Sequence, residues 1–221
     1  MRRVAVTNPN APSTTTRSIH QLIGYELMPW IHWRHVVARP VSVVEWRPGR
    51  SEALAWNFVA LVVVAVGLPL FALPTIVRTG TQGGSFQIGW TQLLLVLAIT
   101  TLLVVVHEAI HALVMSRFGA HPRFGALLVG GVMPALYATA PGHRFTRRQY
   151  LMVAATPAVT ISVLGFCACF SPWGGYLILP LAIHLGGCVG DGFAAWRVLR
   201  EPPGTECEDL RDGVRFYRPS A

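Results

Sequence analysis

The sequence contains no lysine, and acidic residues are almost absent from its long middle part. Only 13% of the 221 residues are charged, whereas 52% are hydrophobic. A soluble domain carries about 25% charged residues, so this composition argues against a soluble enzyme and indicates a membrane protein. The four cysteines lack C-x-x-C spacing. We therefore interpret them as small apolar residues or ordinary thiols and not as a disulfide framework.

Arginine carries all of the positive side-chain charge. A net charge of +8 would suit a nucleic acid partner, but the arginines flank the apolar segments and form no single patch. Arginines placed beside membrane spans contact anionic lipid head groups. We therefore expect anionic lipids, and no nucleic acid, as partners.

Four apolar segments are long enough to cross a bilayer, which requires about 20 residues of helix. They are residues 54–77, 88–115, 150–170 and 176–199. These segments predict an all-α polytopic membrane protein whose membrane-embedded core is residues 54–200. Residues 1–53 are expected to form a cytoplasmic or interfacial segment that begins with a disordered tail, and residues 201–221 a cytoplasmic tail. In that second tail, we expect Asp209 and Asp212 to lie in turns.

The apolar stretch of residues 124–140 is short and is interrupted by glycines and Pro134. It predicts a re-entrant segment or a β-hairpin buried against protein, and not a fifth span. Arginine counts support this choice: segments 1–53, 78–87, 116–149, 171–175 and 197–221 carry seven, one, five, none and five. By the positive-inside rule, this alternation predicts a multi-pass cell-membrane protein with both termini and residues 116–149 in the cytoplasm.

The second span carries an H-E-x-x-H pattern from His107 to His111. The two histidines are four residues apart on a helix, so both imidazoles project from one face and can hold one metal ion. Glu108 is offset by about 100° and can reach a water on that metal without being a ligand. This is the arrangement of zinc hydrolases. The alternative is a buried helix whose histidines only form hydrogen bonds with their neighbours. It does not explain why three ionisable residues lie in a segment that is otherwise apolar enough to face lipid.

A third ligand is predicted from the scarcity of acids, because Glu108 and Asp191 are the only ones between residues 53 and 200. His107 and Asp191 lie about 15 Å and 9 Å from the arginines at the ends of their helices, and therefore at a similar depth. A buried carboxylate without a partner is costly, which favours Asp191 as the ligand. The alternatives, on the same helix face as Asp191, are His184 and Cys188.

Three segments resemble the zincin-type integral-membrane metallopeptidases related to the site-2 protease superfamily. They are HEAIHALVMSRFG, PALYATAPGHRFTRRQYLMVAATP and Gly190-Asp191-Gly192, and the similarity covers about residues 90–218. The resemblance implies that His107, His111 and Asp191 bind Zn²⁺ and that Glu108 is the general base. It also implies a β-hairpin after the metal-binding helix.

The chain departs from the site-2 pattern upstream of Asp191. That pattern has an Asn and a Pro there, and the Asn helps to bind the substrate or the oxyanion, whereas this chain has residues His184 to Cys188. The residue that stabilises the oxyanion is therefore unassigned, with His184 as a candidate.

The leading hypothesis is an intramembrane zinc metalloprotease that cleaves membrane proteins or peptides. A strand edge within residues 124–140 would capture an extended segment of the substrate. One alternative is a membrane protein that binds a metal or haem without hydrolysis. The other is a catalytically silent membrane scaffold.

Overall fold

The computed structural model describes residues 41–80, 89–129 and 133–219. The predicted disordered tail and most of the interfacial segment lie outside the described residues. Within them, five helices occur: α1 (Arg50–Thr79), α2 (Trp90–Arg117), α3 (Arg147–Ala168), α4 (Gly174–Gly187) and α5 (Val189–Leu199). By length and composition, α1, α2, α3 and the α4–α5 pair could each cross a membrane. Their positions agree with the four predicted spans.

Close packing between α1 and α4 depends on small residues. A Cβ atom at Gly186 would lie 2.6 Å from Cγ2 of Val64 and 2.9 Å from the carbonyl oxygen of Ala60. A Cβ atom at Gly67 would lie 3.2 Å from Cα of Ala182. Small residues allow helix backbones to approach closely, which is how helices associate where lipid removes the hydrophobic driving force.

The predicted hairpin follows α2 and consists of two antiparallel strands, β2 (Arg123–Val129) and β3 (Met133–Thr139). A second, antiparallel sheet has the order β1-β6-β5-β4. Its strands are β1 (Val41–Trp46), β4 (Phe145–Thr146), β5 (Glu206–Leu210) and β6 (Gly213–Pro219). The expectation of an all-α protein was therefore wrong in this respect: the fold is mostly helical with two sheets. The four-stranded sheet depends on pairing between β1 and β6, which lie at opposite ends of the sequence.

Residues 206–219 of the tail are thus structured, and Asp209 is not the turn residue that we expected. Asp209 lies within β5, opposite Val214 of β6, whereas Asp212 does lie in the tight turn between these strands. Residues of β6 alternate between the two faces, and Val214 and Phe216 are almost completely buried. They pack with buried residues of β4, α3 and α5, so the sheet covers one end of the helices.

The four-stranded sheet joins three separate parts of the chain. Strand β1 precedes α1, β4 lies between α2 and α3, and β5 and β6 follow α5. Hydrogen bonding between neighbouring strands requires all three parts to be at the same end of the helices. The segments before the first helix, after the second and after the last therefore share one side.

Two buried glutamates attach this sheet to its surroundings. Glu201, just after α5, is 3% exposed and forms ion pairs with Arg218 at 2.5 Å and Arg197 at 3.4 Å. Glu208 is 4% exposed, pairs with Arg215 at 2.8 Å and accepts a hydrogen bond from the backbone amide of Gly142. Loss of one partner from such a buried pair leaves an uncompensated charge, which is strongly destabilising.

Candidate metal centre

The three predicted metal ligands lie together. His107 and His111 are both buried on the face of α2 that meets the other helices, with ring centroids 4.6 Å apart. One carboxylate oxygen of Asp191, Oδ2, lies 3.0 Å from Nε2 of His107 and 3.4 Å from Nε2 of His111. The structure thus joins the motif on α2 with the single acid of α5.

The spacing of these atoms fits a zinc ion. Zinc bonds to nitrogen and oxygen of about 2.0–2.1 Å hold tetrahedral ligand atoms roughly 3.3 Å apart. The two contacts to Asp191 are close to that value, and the ligand atoms of all three residues lie within 4.8 Å of one another. Two imidazoles and one carboxylate form a ligand set of the catalytic type, which leaves a fourth position open.

The backbone of α3 orients His111. Its Nδ1 atom lies 2.9 Å from the carbonyl oxygen of Val153. Because a carbonyl oxygen can only accept, Nδ1 carries a proton, which leaves Nε2, the nitrogen beside Asp191, as the one that can bind a metal. Such a second hydrogen bond fixes the ring orientation of most metal-binding histidines.

His184 of α4 has the equivalent position beside His107. Its Nε2 atom lies 3.0 Å from Nδ1 of His107, and the side chain is 5% exposed. When His107 presents Nε2 to a metal, its Nδ1–H group donates to His184. His184 therefore lies on the opposite side of the His107 ring from Asp191, where it orients the ring.

Cys188 completes a second possible ligand set with His107 and His184. Its sulfur lies 3.8 Å from Nδ1 of His107 and 3.8 Å from Nε2 of His184. This set uses the other nitrogen of His107 and omits His111. Asp191, in contrast, contacts both histidines of the motif, so the geometry favours Asp191 over the two alternatives.

A cavity of about 220 Å³ lies beside the three ligands. The polar residues that line it include His107, Glu108, His111, Tyr150, Asp191 and Asp209. Much of the remaining wall is apolar and includes Trp46 and Trp56, whose rings pack against each other with centroids 5.8 Å apart. His184 is not among the lining residues, so the structure does not favour it as the residue that stabilises an oxyanion.

Three residues that were not predicted as site residues meet beside this cavity, and two of them, Tyr150 and Asp209, line it. The hydroxyl of Tyr150 donates to Oδ1 of Asp209 at 3.1 Å, and the hydroxyl of Thr139 donates to the backbone carbonyl of Asp209 at 2.7 Å. Burial raises the pKa of the Asp209 carboxyl to about 7, although hydrogen bonds from Thr139 and Tyr150 oppose the shift.

No local pattern connects α3, β3 and β5 in the sequence. The alternation of apolar residues at Val214 and Phe216 was the one available signal for a strand next to β5. Had this alternation been used to predict a sheet between the tail and the helices, Asp209 would have been expected close to the site.

Comparison with known families agrees with the chemistry of the site. Residues 100–205 match a family model described as "Putative zincin peptidase". The matched region contains the motif on α2, the hairpin, Tyr150 and Asp191, and it ends before β5. The match supports a zincin-type peptidase with zinc as its cofactor. No curated protein and no solved structure shows a significant match to the chain, and the relationship to site-2 proteases stays a resemblance.

Proposed function

We propose that this protein is a membrane-embedded zinc metallopeptidase that hydrolyses peptide bonds of membrane-associated proteins or peptides. One observation carries the proposal: a single oxygen of Asp191 contacts Nε2 of both motif histidines, beside a cavity that Glu108 also lines. Both nitrogens point towards one place, which suits one metal ion. A haem with two histidine ligands needs them on opposite sides, so the geometry does not favour that alternative.

The ligands of the zinc ion would be His107, His111 and Asp191. When bound, zinc supplies Lewis acidity, which polarises the peptide carbonyl and makes water a nucleophile near neutral pH. Glu108 takes the proton from the attacking water and transfers it to the amine of the leaving group. The hydrogen bonds of His111 to Val153 and of His107 to His184 keep the two rings in place during these proton transfers.

The hairpin supports an extended substrate. Strand β3 lines the cavity between residues 135 and 138 and, within the described residues, pairs only with β2. Its other edge can therefore accept a peptide by β-strand addition. A helical segment of a membrane protein would unwind to bind in this way, which exposes its carbonyl groups to attack. The apolar wall with Trp46 and Trp56 suits apolar side chains.

We also propose that both termini are cytoplasmic and that arginines at this side contact anionic lipids. The arrangement of the four-stranded sheet supports this topology, because it places the segments before α1, after α2 and after α5 at the same end of the helices. These are the segments with the highest arginine counts. The cavity lies beside this sheet, since residues of β1, β5 and β6 line it together with residues of β3.

The substitution Glu108→Gln tests the peptidase function. Purified wild type and variant would be reconstituted with zinc in liposomes that contain a mixture of single-span peptides, and cleavage followed by mass spectrometry. We expect equal zinc content and a loss of cleavage of about 10²–10⁴-fold, because a general base contributes about that factor. Glu52→Gln, at the exposed start of α1, is the matched control. Zinc-loaded wild type that cleaves no peptide, or no faster than Glu108→Gln, would refute the proposal.

A further inference from the structure

One residue that lines the cavity, Tyr150, carries a hydroxyl group that has no role in the chemistry described so far. Tyr150 is 5% exposed, lies in the first turn of α3 and lines the cavity together with Glu108 and the three ligands. A buried phenol hydroxyl requires a hydrogen-bond partner, and here the partner is Asp209 at 3.1 Å. The hydroxyl is therefore held by Asp209, a residue that lines the same cavity.

The position of Tyr150 on α3 places it near the metal ligands. Val153, whose carbonyl holds His111 at 2.9 Å, is three residues further along the same helix. Residues at i and i+3 share a helix face and are about 4.5 Å apart along the axis. Tyr150 thus lies about one turn from the group that orients a proposed zinc ligand, on the same face of α3.

We propose that Tyr150 is the residue that stabilises the oxyanion, by donating its hydroxyl proton in a hydrogen bond to the substrate carbonyl oxygen as negative charge develops there. Asp209 and Thr139 are positioning residues: Asp209 holds the phenol, and Thr139 holds the backbone of Asp209. This inference rests on the proposed peptidase function and supplies the role that the missing Asn leaves open. No bond to Tyr150 forms or breaks, and the phenol keeps its proton.

The hydroxyl has one proton, so the substrate oxygen must compete with Asp209 for it. A developing oxyanion is a stronger acceptor than a neutral carboxyl group. Burial raises the pKa of Asp209 to about 7, which weakens this carboxyl as a competing acceptor near neutral pH. The neighbouring groups that influence it are Thr139 and Tyr150 by hydrogen bonds and, at longer range, His111 and Asp191 by charge.

The substitution Tyr150→Phe removes the hydroxyl and keeps the ring. Two probes with leucine side chains, which suit the apolar wall, would be bound to full-length, zinc-loaded protein in detergent micelles and measured by calorimetry. A phosphonamidate carries charged oxygens on a tetrahedral centre where the carbonyl would be, whereas a hydroxamate binds the metal through a planar group. We expect Tyr150→Phe to weaken phosphonamidate binding about 100-fold, the scale of one lost oxyanion donor, and to leave hydroxamate binding and zinc content unchanged.

Cleavage kinetics and further variants separate this role from a structural one. For Tyr150→Phe we expect kcat to fall about 10²–10³-fold with little change in KM. Tyr176→Phe is the matched control, because Tyr176 of α4 lies near Trp173, with ring centroids 6.4 Å apart, and does not line the cavity. Asp209→Ala should weaken phosphonamidate binding, and Asp209→Asn should restore most of it, because the amide oxygen still accepts from Tyr150.

The outcomes that overturn the inference are distinct from those that overturn the peptidase function. If wild type cleaves peptides and Tyr150→Phe matches it in kcat and in phosphonamidate affinity, only the role of Tyr150 is refuted. If Tyr150→Phe weakens both probes equally or loses zinc, Tyr150 is a structural residue and the inference is again wrong. If zinc-loaded wild type binds neither probe and cleaves nothing, the peptidase function fails and this inference fails with it.

Discussion

Zinc affinity distinguishes Asp191 from the His184–Cys188 pair as ligands. The two sets share His107 but use different ring nitrogens, Nε2 towards Asp191 and Nδ1 towards His184 and Cys188. Replacing one residue of each set therefore has different consequences. The three informative variants are Asp191→Ala, His184→Leu and Cys188→Ala.

The structure sets the order of the expected effects. Asp191→Ala removes an oxygen that contacts both motif histidines at 3.0 and 3.4 Å, so we expect zinc to be lost at micromolar free metal. His184→Leu removes only the partner of the Nδ1 atom of His107, while His111 keeps its hydrogen bond to Val153. Loss of such an orienting partner weakens metal binding about 10–100-fold, or roughly 1.4–2.7 kcal/mol. Cys188→Ala should leave the affinity unchanged.

The assay is competition for zinc against chelators of graded affinity, with bound zinc measured by mass spectrometry after desalting. His184→Gln is a further control, because the side-chain oxygen of Gln can accept from Nδ1 of His107 and should recover part of the affinity. The assignment of Asp191 would be refuted if Asp191→Ala keeps the wild-type affinity. It would be replaced by the other set if Cys188→Ala and His184→Leu both lose zinc.

Three further predictions concern the fold around the site. Glu201→Gln should lower the free energy of unfolding, measured with denaturant, by about 3 kcal/mol, because the buried partner of Arg218 and Arg197 loses its charge. This value is the low end of the range for a broken buried ion pair, since the Arg218 side chain is 30% exposed. An unchanged midpoint would contradict this reasoning. Gly186→Ala should lower the free energy of unfolding by about 1–3 kcal/mol, because the added methyl group meets Val64 and the Ala60 carbonyl. Gly187→Ala is the control and should not destabilise the protein, because its methyl group would meet nothing within 4 Å. Equal effects of the two substitutions would exclude close packing between α1 and α4. The pKa of Asp209 is raised from 3.8 to about 7 in the folded protein. The fold therefore favours the protonated carboxyl group, and this contribution to stability, complete below pH 3.8, is lost as the pH rises through 7. Asp209→Asn should therefore gain melting temperature relative to wild type at pH 8 and not at pH 3.5, and a constant difference would contradict the raised pKa.

Much of the framework was predictable because its signals are local. A membrane span is a property of about 20 consecutive residues, and the H-E-x-x-H pattern needs only the geometry of one helix. The helices accordingly lie where the apolar segments predicted them. The proximity of Asp191 to the motif was also predictable, because acids are so scarce in the apolar region that few partners were possible.

Only the tertiary structure decided what surrounds these residues. The four-stranded sheet pairs Val44 with Phe216 and Phe145 with Cys207. Pairing between residues so far apart in the chain could not be predicted from the sequences of these short, charged segments. That sheet moves Asp209 from an expected turn to the cavity wall, where it holds Tyr150. The helix packing likewise places His184 behind His107 and away from the cavity. The sequence by itself determined the long apolar helices, the motif and the acid that lies beside it, because each depends on neighbouring residues or on composition. The residues that orient and complete the site depend on contacts between distant segments, and these exist only in the folded chain.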